Sequence, residues 1–264
     1  MIKKGIILAG GYGKRMSPLT KAVNKQLLPI YDKPLIYYPL SVLMLAGIKD
    51  VLIIVNKGQL FQFRKILENG RRFGIKINYA EQSKPVGLPD AFIIGKKFIG
   101  DDKVALILGD NFFYGQSLTS KLRKCIKLKS GCKILVHPVN KPELYGVAVT
   151  NSRNKIISIK EKPKNSNSNL AITGLYFFDN KVVNYSHSLK PSKRNELEIV
   201  DLLNKYRKKN KLSLEFLGRG GTWLDTGSID DFYNTSAFVS TLENRQGLKI
   251  ACLEEIALKN RWIK

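Results

Sequence analysis

Histidine and cysteine are scarce in this sequence, which holds two histidines and three cysteines among 264 residues. Cys125, Cys132 and Cys252 are odd in number and scattered, so they indicate neither a disulfide framework nor a metal-ligand cluster. His137 and His187 stand alone, and isolated histidines of this kind are more typical of structural or solvated positions than of catalysis. The scarcity argues against disulfide scaffolds and against enzymes built on a catalytic Ser, Cys or His arrangement.

Long apolar runs are also absent. The six residues Gly5–Gly10 near the N-terminus are too short for the core of a signal peptide, and no stretch approaches membrane-spanning length. With the unpaired cysteines, this predicts a cytoplasmic location and no membrane partner. Hydrophobic residues still make up 44% of the chain, which is enough for a sizeable core and argues against disorder.

Acidic residues are few beside basic ones. The chain has 21 Asp and Glu against 45 Lys and Arg, a formal net charge of +24, which raises nucleic-acid binding as one hypothesis. The lysines are spread along the whole chain, however. The densest run, Lys205–Lys211, follows an apolar helical pattern and is typical of a helix C-terminus, where cations suit the dipole. We therefore expect no nucleic-acid partner.

Short apolar runs alternate with helical patterns in the first half of the chain. Runs without polar alternation, separated by helices, indicate a parallel sheet covered on both faces. The sequence predicts an α/β fold: a doubly wound, mostly parallel, Rossmann-like sheet with ligands at the carboxyl ends of its strands. The predicted strands are Lys4–Ala9, Asp50–Val55, Lys76–Ala80 and Val104–Leu108, and the helical segments are Leu35–Ala46, Gln59–Glu68 and Leu88–Phe98.

The second half is more mixed, which predicts a small additional β region. Nothing repeats and no linker separates two halves, so we expect one domain over residues 1–264. Lys162–Asn169 is polar and predicts a surface loop. The predicted strands are Ile134–Pro138, Gly146–Thr150, Ile156–Ile159, Gly174–Phe178 and Leu212–Leu217, and the predicted helices are Glu196–Tyr206 and Ile229–Leu242.

A glycine-rich stretch, LAGGYGKR at Leu8–Arg15, directly follows the first predicted strand. Three glycines within four positions, followed by two cations, are typical of a loop whose backbone amides bind a phosphate. The stretch lacks the G-K-[ST] ending of a P-loop, and the dinucleotide fingerprint fails at Met16. By itself the loop predicts an anion site of the nucleotide type and leaves the reaction open.

Further charged residues stand at the ends of other predicted elements. Asp110 ends a strand, and Glu161 and Lys162 are adjacent at another strand end. Asp225 stands between an aromatic run and a glycine in TWLDTG. Asp110 and Asp225, both at expected turn positions, could share Mg²⁺, which prefers oxygen ligands. Each residue alone has a structural alternative: Asp110 as the start of a turn, Asp225 as a helix cap, and Lys162 as a solvated charge.

Taken together and in this order, these stretches resemble the sugar-phosphate nucleotidylyltransferase family. The opening Gly5–Ile48 carries the likeness, with LGDN, YGVAV, EKP, ELEIVD and WLDTG further along. The resemblance runs from about Lys4 to Trp262. The stretch KQLLPIYDKPLIYYPL, together with ELEIVD and WLDTG, is similar to the thymidylyltransferase branch in particular.

The resemblance implies that glucose 1-phosphate attacks the α-phosphorus of dTTP and pyrophosphate leaves in line. The product would be dTDP-glucose, made in the first step of dTDP-deoxysugar synthesis such as that of dTDP-rhamnose. Because a phosphate monoester has a second pKa of about 6, the attacking group is largely dianionic at neutral pH and needs no general base. Catalysis then rests on positioning and charge neutralisation, with Mg²⁺ as cofactor.

Two alternatives stay open beside this expectation. The first is a uridylyl- or cytidylyltransferase acting on a related sugar 1-phosphate. The second is a catalytically silent regulatory homologue, although the residue types that such a protein would lose are all present.

The resemblance also implies a role for each matching residue. It predicts a nucleotide-binding part at about 1–130 and a sugar-binding and Mg²⁺-binding part at about 131–240. The implied catalytic residues are Arg15, Lys25, Asp110, Lys162 and Asp225, with Asp110 and Asp225 as the metal ligands. The implied nucleotide-binding residues are Leu8, Gly10, Gly11, Gly13, Arg15, Gln26, Gln82, Gly87 and Asp110. The implied sugar-phosphate-binding residues are Asn111, Tyr145, Gly146, Glu161, Lys162 and Ile172.

Two segments depart from the family pattern. In the base-binding segment Gln82–Phe92, Val86 stands where an acidic residue is usual, and Pro89 enters the first turn of a helix, where proline is tolerated. The choice of dTTP over UTP is therefore left open. Similar proteins continue past Glu254–Ala257 into a helical tail that supports a tetramer and its regulatory site. We expect that tail to be missing here, and a homo-oligomer, either a dimer or a tetramer.

Overall fold

Four buried parallel strands form the centre of the computed structural model, which describes residues 1–264. The strands are β1 (Lys4–Ala9), β2 (Pro29–Ile30), β3 (Lys33–Pro34), β4 (Asp50–Asn56), β5 (Lys76–Gln82), β6 (Val104–Leu108), β7 (Asn111–Gly115), β8 (Cys132–Pro138), β9 (Gly146–Thr150), β10 (Ile156–Glu161), β11 (Leu170–Phe178), β12 (Leu212–Phe216) and β13 (Gly221–Asp225). The helices are α1 (Tyr37–Ala46), α2 (Leu60–Leu67), α3 (Asp90–Ile94), α4 (Lys96–Ile99), α5 (Leu118–Cys125), α6 (Lys181–His187), α7 (Ile199–Lys208), α8 (Ile229–Gln246) and α9 (Leu253–Lys259).

The main sheet has nine strands. Its path is β10-β9-β11-β6-β1-β4-β5, with β8 beside β11 and β12 beside β8. Strands β6, β1, β4 and β5 are mutually parallel, whereas β11 runs antiparallel to β6. The predicted α/β fold with a Rossmann-like sheet is confirmed, and the antiparallel pairs gather at the end formed by the second half of the chain. Residues of the predicted nucleotide-binding part (about 1–130) and of the predicted sugar-binding part (about 131–240) both contribute strands to this sheet.

The uninterrupted apolar runs of the central strands reflect burial on both faces. Side chains of a strand alternate between faces, and Ile7 and Ile53 enter one core while Ile6 and Leu52 enter the other. Helices α1, α2, α5 and α9 cover the first face, and α3, α4, α6 and α7 cover the second. Each fully buried aliphatic side chain contributes about 1.5–3 kcal/mol to this arrangement.

Most predicted elements are confirmed, and three strands (Lys4–Ala9, Val104–Leu108 and Gly146–Thr150) have the predicted bounds. The predicted helix Leu88–Phe98 was wrong as one element, because it is divided at Gly95 into α3 and α4. A Cβ at Gly95 would lie 2.8 Å from the carbonyl oxygen of Ala91, so the chain is tightly packed there. The predicted helix at Glu196 begins three residues later, at Ile199.

A separate two-stranded ladder, β7 with β13, was not predicted. Strand β7 begins three residues after β6 ends, and it pairs antiparallel with β13 so that Asn111 lies opposite Asp225. Asp225 therefore ends a strand and was wrongly expected in a turn. This ladder brings chain positions more than a hundred residues apart to the carboxyl ends of β1 and β6.

No helix of the structure combines the length and apolarity needed to cross a bilayer.

Candidate active site

Two adjoining cavities open at the carboxyl ends of the parallel strands. The larger has a volume of about 380 Å³ and the smaller about 230 Å³. Arg15 and Asp110 line both, so the cavities meet at these two side chains. The smaller one is lined by Gly10, Gly11, Gly13, Lys14, Arg15, Lys25, Gln26, Asp110 and Gly227. The larger one includes all six residues predicted to bind the sugar phosphate: Asn111, Tyr145, Gly146, Glu161, Lys162 and Ile172.

The glycine loop follows β1 directly and depends on the absence of side chains. Gly11 and Gly13 have φ of 105° and 57°, a region that residues with a Cβ rarely adopt. Asn56, at the end of β4, accepts a hydrogen bond from the Gly11 N–H at 3.0 Å and donates to its carbonyl oxygen at 2.9 Å. The loop is thus fastened to the sheet while its other amides stay available to an anion.

Lys25 is a buried cation at the floor of the smaller cavity. It lies in the 3₁₀ turn Lys25–Leu27, whose N-cap Asn24 accepts from the Gln26 N–H. Its Nζ lies 2.7 Å from Oδ2 of Asp110, and its side chain is only 8% exposed. A buried ammonium needs such a partner, so the ion pair fixes Lys25 beside Asp110.

Arg15 reaches the junction through the space left by Gly227. A Cβ on Gly227 would lie 2.8 Å from Nη2 of Arg15 and 2.8 Å from Oδ1 of Asp225. The guanidinium and the second carboxylate therefore approach each other across a glycine. The expected structural alternative for Asp225, a helix cap, is wrong, because Ser228 caps α8 by accepting from the Asp231 N–H.

Asp110 and Asp225 differ in their affinity for a proton. Burial favours the neutral form of Asp110, but the Lys25 charge and hydrogen bonds from Lys25 and Asn111 outweigh it and lower the Asp110 pKa. Burial, followed by the negative charge of Asp110, raises the pKa of Asp225 to about 6, although Lys25 and Arg15 oppose the shift. The Asp225 carboxylate thus lies close enough to Asp110 for the repulsion between the two charges to favour its protonated form.

These two carboxylates fit a magnesium ion. No group of three or more His, Cys, Asp or Glu side chains is placed to hold a metal by itself. Mg²⁺ is commonly bound by one or two carboxylates together with substrate phosphates, so a complete protein cage is not required. A dication between Asp110 and Asp225 would also remove the repulsion that raises the Asp225 pKa. Asp110 and Asp225 are the residues that would hold it.

Glu161 and Lys162 line the larger cavity, and Arg194 lies beside Glu161 without lining the cavity itself. Glu161 ends β10, and burial raises its pKa. Arg194 Nη2 lies 3.5 Å from Oε1 of Glu161. The backbone N–H of Lys162 donates to the Tyr145 carbonyl at 3.0 Å, and Lys162 has φ of 43°, an uncommon conformation for a residue with a side chain. Lys162 is exposed and lines the cavity, and its role in binding phosphate stays a prediction.

Three predicted nucleotide-binding residues line neither cavity. Leu8 lies on β1, where its carbonyl accepts from the Gly109 N–H at 2.9 Å. Gln82 is buried against Gly10, where an added Cβ would meet Gln82 Nε2 at 1.7 Å. Gly87 forms a backbone bridge with Leu197, and a Cβ at Gly87 would meet the Leu197 carbonyl oxygen at 2.1 Å. Close packing accounts for Gly10 and Gly87, and the thymine-binding roles of Gln82 and Gly87 stay predictions.

Sequence reasoning gave no role to Asn56, Arg194 and Trp223, which the structure brings to the site. Trp223 was visible in WLDTG, two positions before Asp225 on the same strand face. Asn56 directly follows the predicted strand Asp50–Val55 at the expected sheet edge, which was a usable signal. Arg194 lies in the irregular segment between α6 and α7, where no periodic pattern marks it.

No histidine, cysteine or serine lines either cavity, while cations and carboxylates meet at the junction. Fold and site together define the class of enzymes that bring two phosphate-bearing substrates together and transfer a phosphorus-centred group between them. A family model described as nucleotidyl transferase matches residues 4–241. The chain belongs to this nucleotidyl transferase family.

Several relatives carry a more specific description. The chain is 52% identical to glucose-1-phosphate thymidylyltransferase of Neisseria meningitidis serogroup A, over 98% of this chain and 90% of that protein. It is 50% identical to the Xanthomonas campestris pv. campestris B100 enzyme of the same name, over 99% and 88%. Among solved structures, UDP-glucose pyrophosphorylase complexed with UDP-glucose has a TM-score of 0.80 at 27% identity, covering 92% of this chain and 100% of that one. These likenesses confirm the resemblance and the fold.

Proposed function

We propose that this protein transfers a deoxythymidylyl group from dTTP to glucose 1-phosphate and releases pyrophosphate, forming dTDP-glucose. The relatives of about 50% identity over nearly the whole chain support this reaction. The observation that carries the proposal is the meeting of two cavities at Arg15 and Asp110. One cavity suits a polyphosphate and the other a polyol phosphate, so the reacting phosphates would face each other at the junction.

The smaller cavity would bind the triphosphate of dTTP. The amides of Gly10 and Gly13 would donate to phosphate oxygens, as glycine-rich loops after a strand commonly do, whereas the predicted Gly11 N–H is already bonded to Asn56 at 3.0 Å. Arg15 and Lys25 would neutralise the charge of the departing pyrophosphate. Because the Lys25 ammonium is already held by Asp110 at 2.7 Å, its position does not depend on the substrate.

The larger cavity would bind glucose 1-phosphate. Glu161 and the backbone at Gly146 and Ile172 would accept from and donate to sugar hydroxyls. Lys162 would hold the phosphate in line with the α-phosphorus, and Arg194 lies close enough to Glu161 to add a second cation. The attacking phosphate oxygen then needs no base, because it carries its negative charge before the reaction.

Charge repulsion between two polyanions is the main barrier in such a reaction, and positioning lowers it. When bound, Mg²⁺ would supply charge neutralisation for the phosphates at the α-phosphorus. Asp110 and Asp225 would hold the ion, and Asn111 would hold Asp110. This assignment leaves the glycine loop and the three cations Arg15, Lys25 and Lys162 to orient the two phosphates.

Uridylyl transfer is a second candidate, favoured by the likeness to UDP-glucose pyrophosphorylase and by Val86 and Pro89 in the base-binding segment. The deciding experiment measures pyrophosphate release with Mg²⁺ and glucose 1-phosphate in parallel reactions with dTTP, UTP, CTP or GTP. We expect dTTP to give the highest kcat/KM, with dTDP-glucose identified by mass spectrometry. A higher kcat/KM with UTP would favour the second candidate, and no release with any nucleotide would contradict both.

A further inference from the structure

The side-chain amide of Asn111 forms three hydrogen bonds, all within the protein. Its Oδ1 accepts from the indole Nε1 of Trp223 at 2.6 Å and from the backbone N–H of Gly174 at 3.2 Å. Its Nδ2 donates to Oδ1 of Asp110 at 3.0 Å. Asn111 is 2% exposed. These partners use both lone pairs of its oxygen and one of its two N–H bonds.

The chemistry of these partners fixes the orientation of the amide. The Trp223 indole and the Gly174 backbone N–H can only donate, so the group that faces them is the amide oxygen. A flipped amide would set its NH₂ group against two donors and its oxygen against the Asp110 carboxylate, and all three hydrogen bonds would be lost. The NH₂ group of Asn111 is therefore held towards Asp110.

The strands bring these groups together. In the β7–β13 ladder Asn111 lies opposite Asp225, and Trp223 precedes Asp225 by two residues, so the three side chains share one face. A Cβ at Gly174 would lie 2.7 Å from Oδ1 of Asn111, so a glycine is needed there. The ring of Tyr145 packs edge-on against Trp223 with centroids 5.0 Å apart and restricts the indole.

We propose that Trp223 is a positioning residue that orients the Asp110 carboxylate through Asn111. Asn111 holds Oδ1 of Asp110, and Lys25 holds Oδ2 at 2.7 Å, so both oxygens of the carboxylate are fixed in place. Asp110 lines both cavities. Its remaining lone pairs serve the metal in the proposed function, on which this inference rests. A ligand oriented before substrate arrives needs no reorganisation during the reaction.

These hydrogen bonds limit the contacts that Asn111 can make with the sugar. The residue was predicted to bind glucose 1-phosphate, and it does line the larger cavity. Its oxygen is already saturated, however, and one N–H is committed to Asp110. Asn111 can offer the sugar a single donor and no acceptor, so its main task is to hold Asp110.

The hydrogen bond itself is tested by ¹⁵N NMR of the indole N–H groups. The chain has two tryptophans, Trp223 and Trp262, so the two signals can be assigned by substitution. Asn111→Ala should shift the Trp223 signal and speed its exchange with water by about fivefold or more, since a lost hydrogen bond exposes the donor. The Trp262 signal should stay unchanged. An unshifted Trp223 signal would overturn the proposal.

The positioning role is tested by replacing Trp223 with β-(3-benzothienyl)alanine, in which sulfur takes the place of the indole N–H at nearly constant shape. Mn²⁺ binding in the presence of dTTP is measured by electron paramagnetic resonance. We expect the Mn²⁺ affinity and kcat to fall by about 10–100-fold, the range typical for loss of an outer partner of a metal ligand. KM for glucose 1-phosphate should change little. The same analogue at Trp262 is the matched control.

Wild-type Mn²⁺ affinity in the residue-223 analogue, with a raised KM for glucose 1-phosphate alone, would contradict the proposal and assign Trp223 to sugar packing. A double-mutant cycle adds an independent readout. Trp223→Phe in an Asn111→Ala background should cause no further loss, because Trp223 would act only through Asn111. If the losses caused by the two substitutions instead multiply in the double variant, Trp223 does not act through Asn111 alone. If Trp223→Phe does not fold, as judged by its thermal unfolding curve, the benzothienyl protein decides.

These measurements also separate the inference from the proposed function. The NMR and Mn²⁺ experiments need no turnover. A wild-type protein that released no pyrophosphate from dTTP and glucose 1-phosphate would refute the proposed function. The same protein could still show the coupled behaviour of Trp223, Asn111 and Asp110, which depends only on their geometry.

Discussion

Asp110 and Asp225 show how single residues at the junction differ in spite of their common chemistry. Lys25 and Asn111 stabilise the charge of Asp110, so its pKa is lowered against the effect of burial. Asp225 lacks such donors, and burial and its neighbour raise its pKa to about 6. Asp110 already has a cationic partner in Lys25, whereas the charge of Asp225 is destabilised by Asp110, so an added cation would stabilise Asp225 most. A cation bound between the two carboxylates would therefore stabilise the charged form of Asp225.

Arg15→Ala tests the cation shared by both cavities. Removing one preorganised donor from a developing charge typically lowers kcat by about 10²–10³-fold, and we expect that loss here with an unchanged thermal unfolding midpoint. Pyrophosphate release measures the effect. The matched control is Lys21→Ala, which removes an exposed lysine of the same segment outside both cavities. Turnover of Arg15→Ala near the wild-type rate would remove Arg15 from the mechanism.

Gly227→Ala tests the close approach of Arg15 and Asp225. The added methyl would lie 2.8 Å from a polar atom of each, so one side chain must move. We expect kcat to fall at least about tenfold with little change in stability, because a displacement of about 1 Å at a reacting site can cost 10²-fold in rate. Gly220→Ala is the control, since a Cβ there meets nothing within 4 Å. Equal kinetics of the two variants would contradict the assignment.

Residue types at the site were largely visible in the sequence, and their contacts were not. Arg15, Lys25, Asp110 and Asp225 stand in short motifs whose order resembles the family, so they could be chosen without coordinates. The hydrogen bond from Trp223 to Asn111 spans 112 positions and depends on the β7–β13 register. Local periodicity carries no signal for such a pair. Their roles in catalysis stay predictions.

At the scale of elements, an ion cluster around the buried Glu243 ties the β2–β3 hairpin to the end of α8. Glu243 of α8 is 5% exposed and accepts from Lys33, Lys249 and the Ile250 N–H. Lys33 lies in β3, which follows the turn that carries Lys25. The cluster therefore anchors the segment on which an active-site cation depends, and all the partners of the buried carboxylate are satisfied.

Glu243→Gln should destabilise the protein by about 1–3 kcal/mol, since the mostly buried Lys33 ammonium loses one of its two carboxylate partners and keeps Asp32. Urea unfolding followed by circular dichroism measures the loss. Glu254→Gln, an exposed position at the start of α9, should change stability by less than about 0.5 kcal/mol. A loss in the Glu243 variant no larger than in this control would show that the cluster contributes nothing measurable.

Asp32 gives the same cluster a pH dependence. Burial favours protonation of Asp32, but hydrogen bonds from Lys249 and Lys33 and their charges outweigh it and lower the pKa from 3.8. A lowered folded-state pKa means that the unfolded chain binds protons more readily. The contribution is therefore present above pH 3.8 and is lost as pH falls through the folded value.

Asp32→Asn should accordingly be less stable than wild type at neutral pH, with the difference shrinking as pH falls below 3.8. Urea unfolding at a series of pH values measures this. A difference that stays constant down to the acid limit would indicate that Asp32 contributes through packing and not through its charge.

A helix or strand could be predicted from the sequence where its own residues determine its bounds. Central strands such as Val104–Leu108 are continuous apolar runs, and their bounds follow from composition. The helix expected at Leu88–Phe98 has a suitable pattern, but in the structure it is divided at Gly95 into α3 and α4. Strands β7 and β13 are short and stable only as a pair, so neither could be identified from its own sequence.

For the whole molecule, a net charge of +24 surrounds a site for two anionic substrates. Long-range attraction raises the encounter rate of anions with a cationic protein, and dissolved salt screens it. We expect kcat/KM for glucose 1-phosphate to fall as KCl rises from about 0.02 to 0.3 M, across the range where the Debye length drops below 10 Å. A matched decrease in kcat would instead indicate that the salt acts on the enzyme with its substrates already bound, and not on their encounter.

In the proposed reaction, dTTP and glucose 1-phosphate react directly where the two cavities meet, without a covalent intermediate on the protein. The most direct measurement is exchange of radiolabelled pyrophosphate into dTTP, with Mg²⁺ and with or without glucose 1-phosphate. Direct displacement predicts no exchange when the sugar phosphate is absent, and exchange together with dTDP-glucose formation when it is present. Exchange without glucose 1-phosphate would contradict direct displacement, and no dTDP-glucose when both substrates are supplied would contradict the proposed reaction.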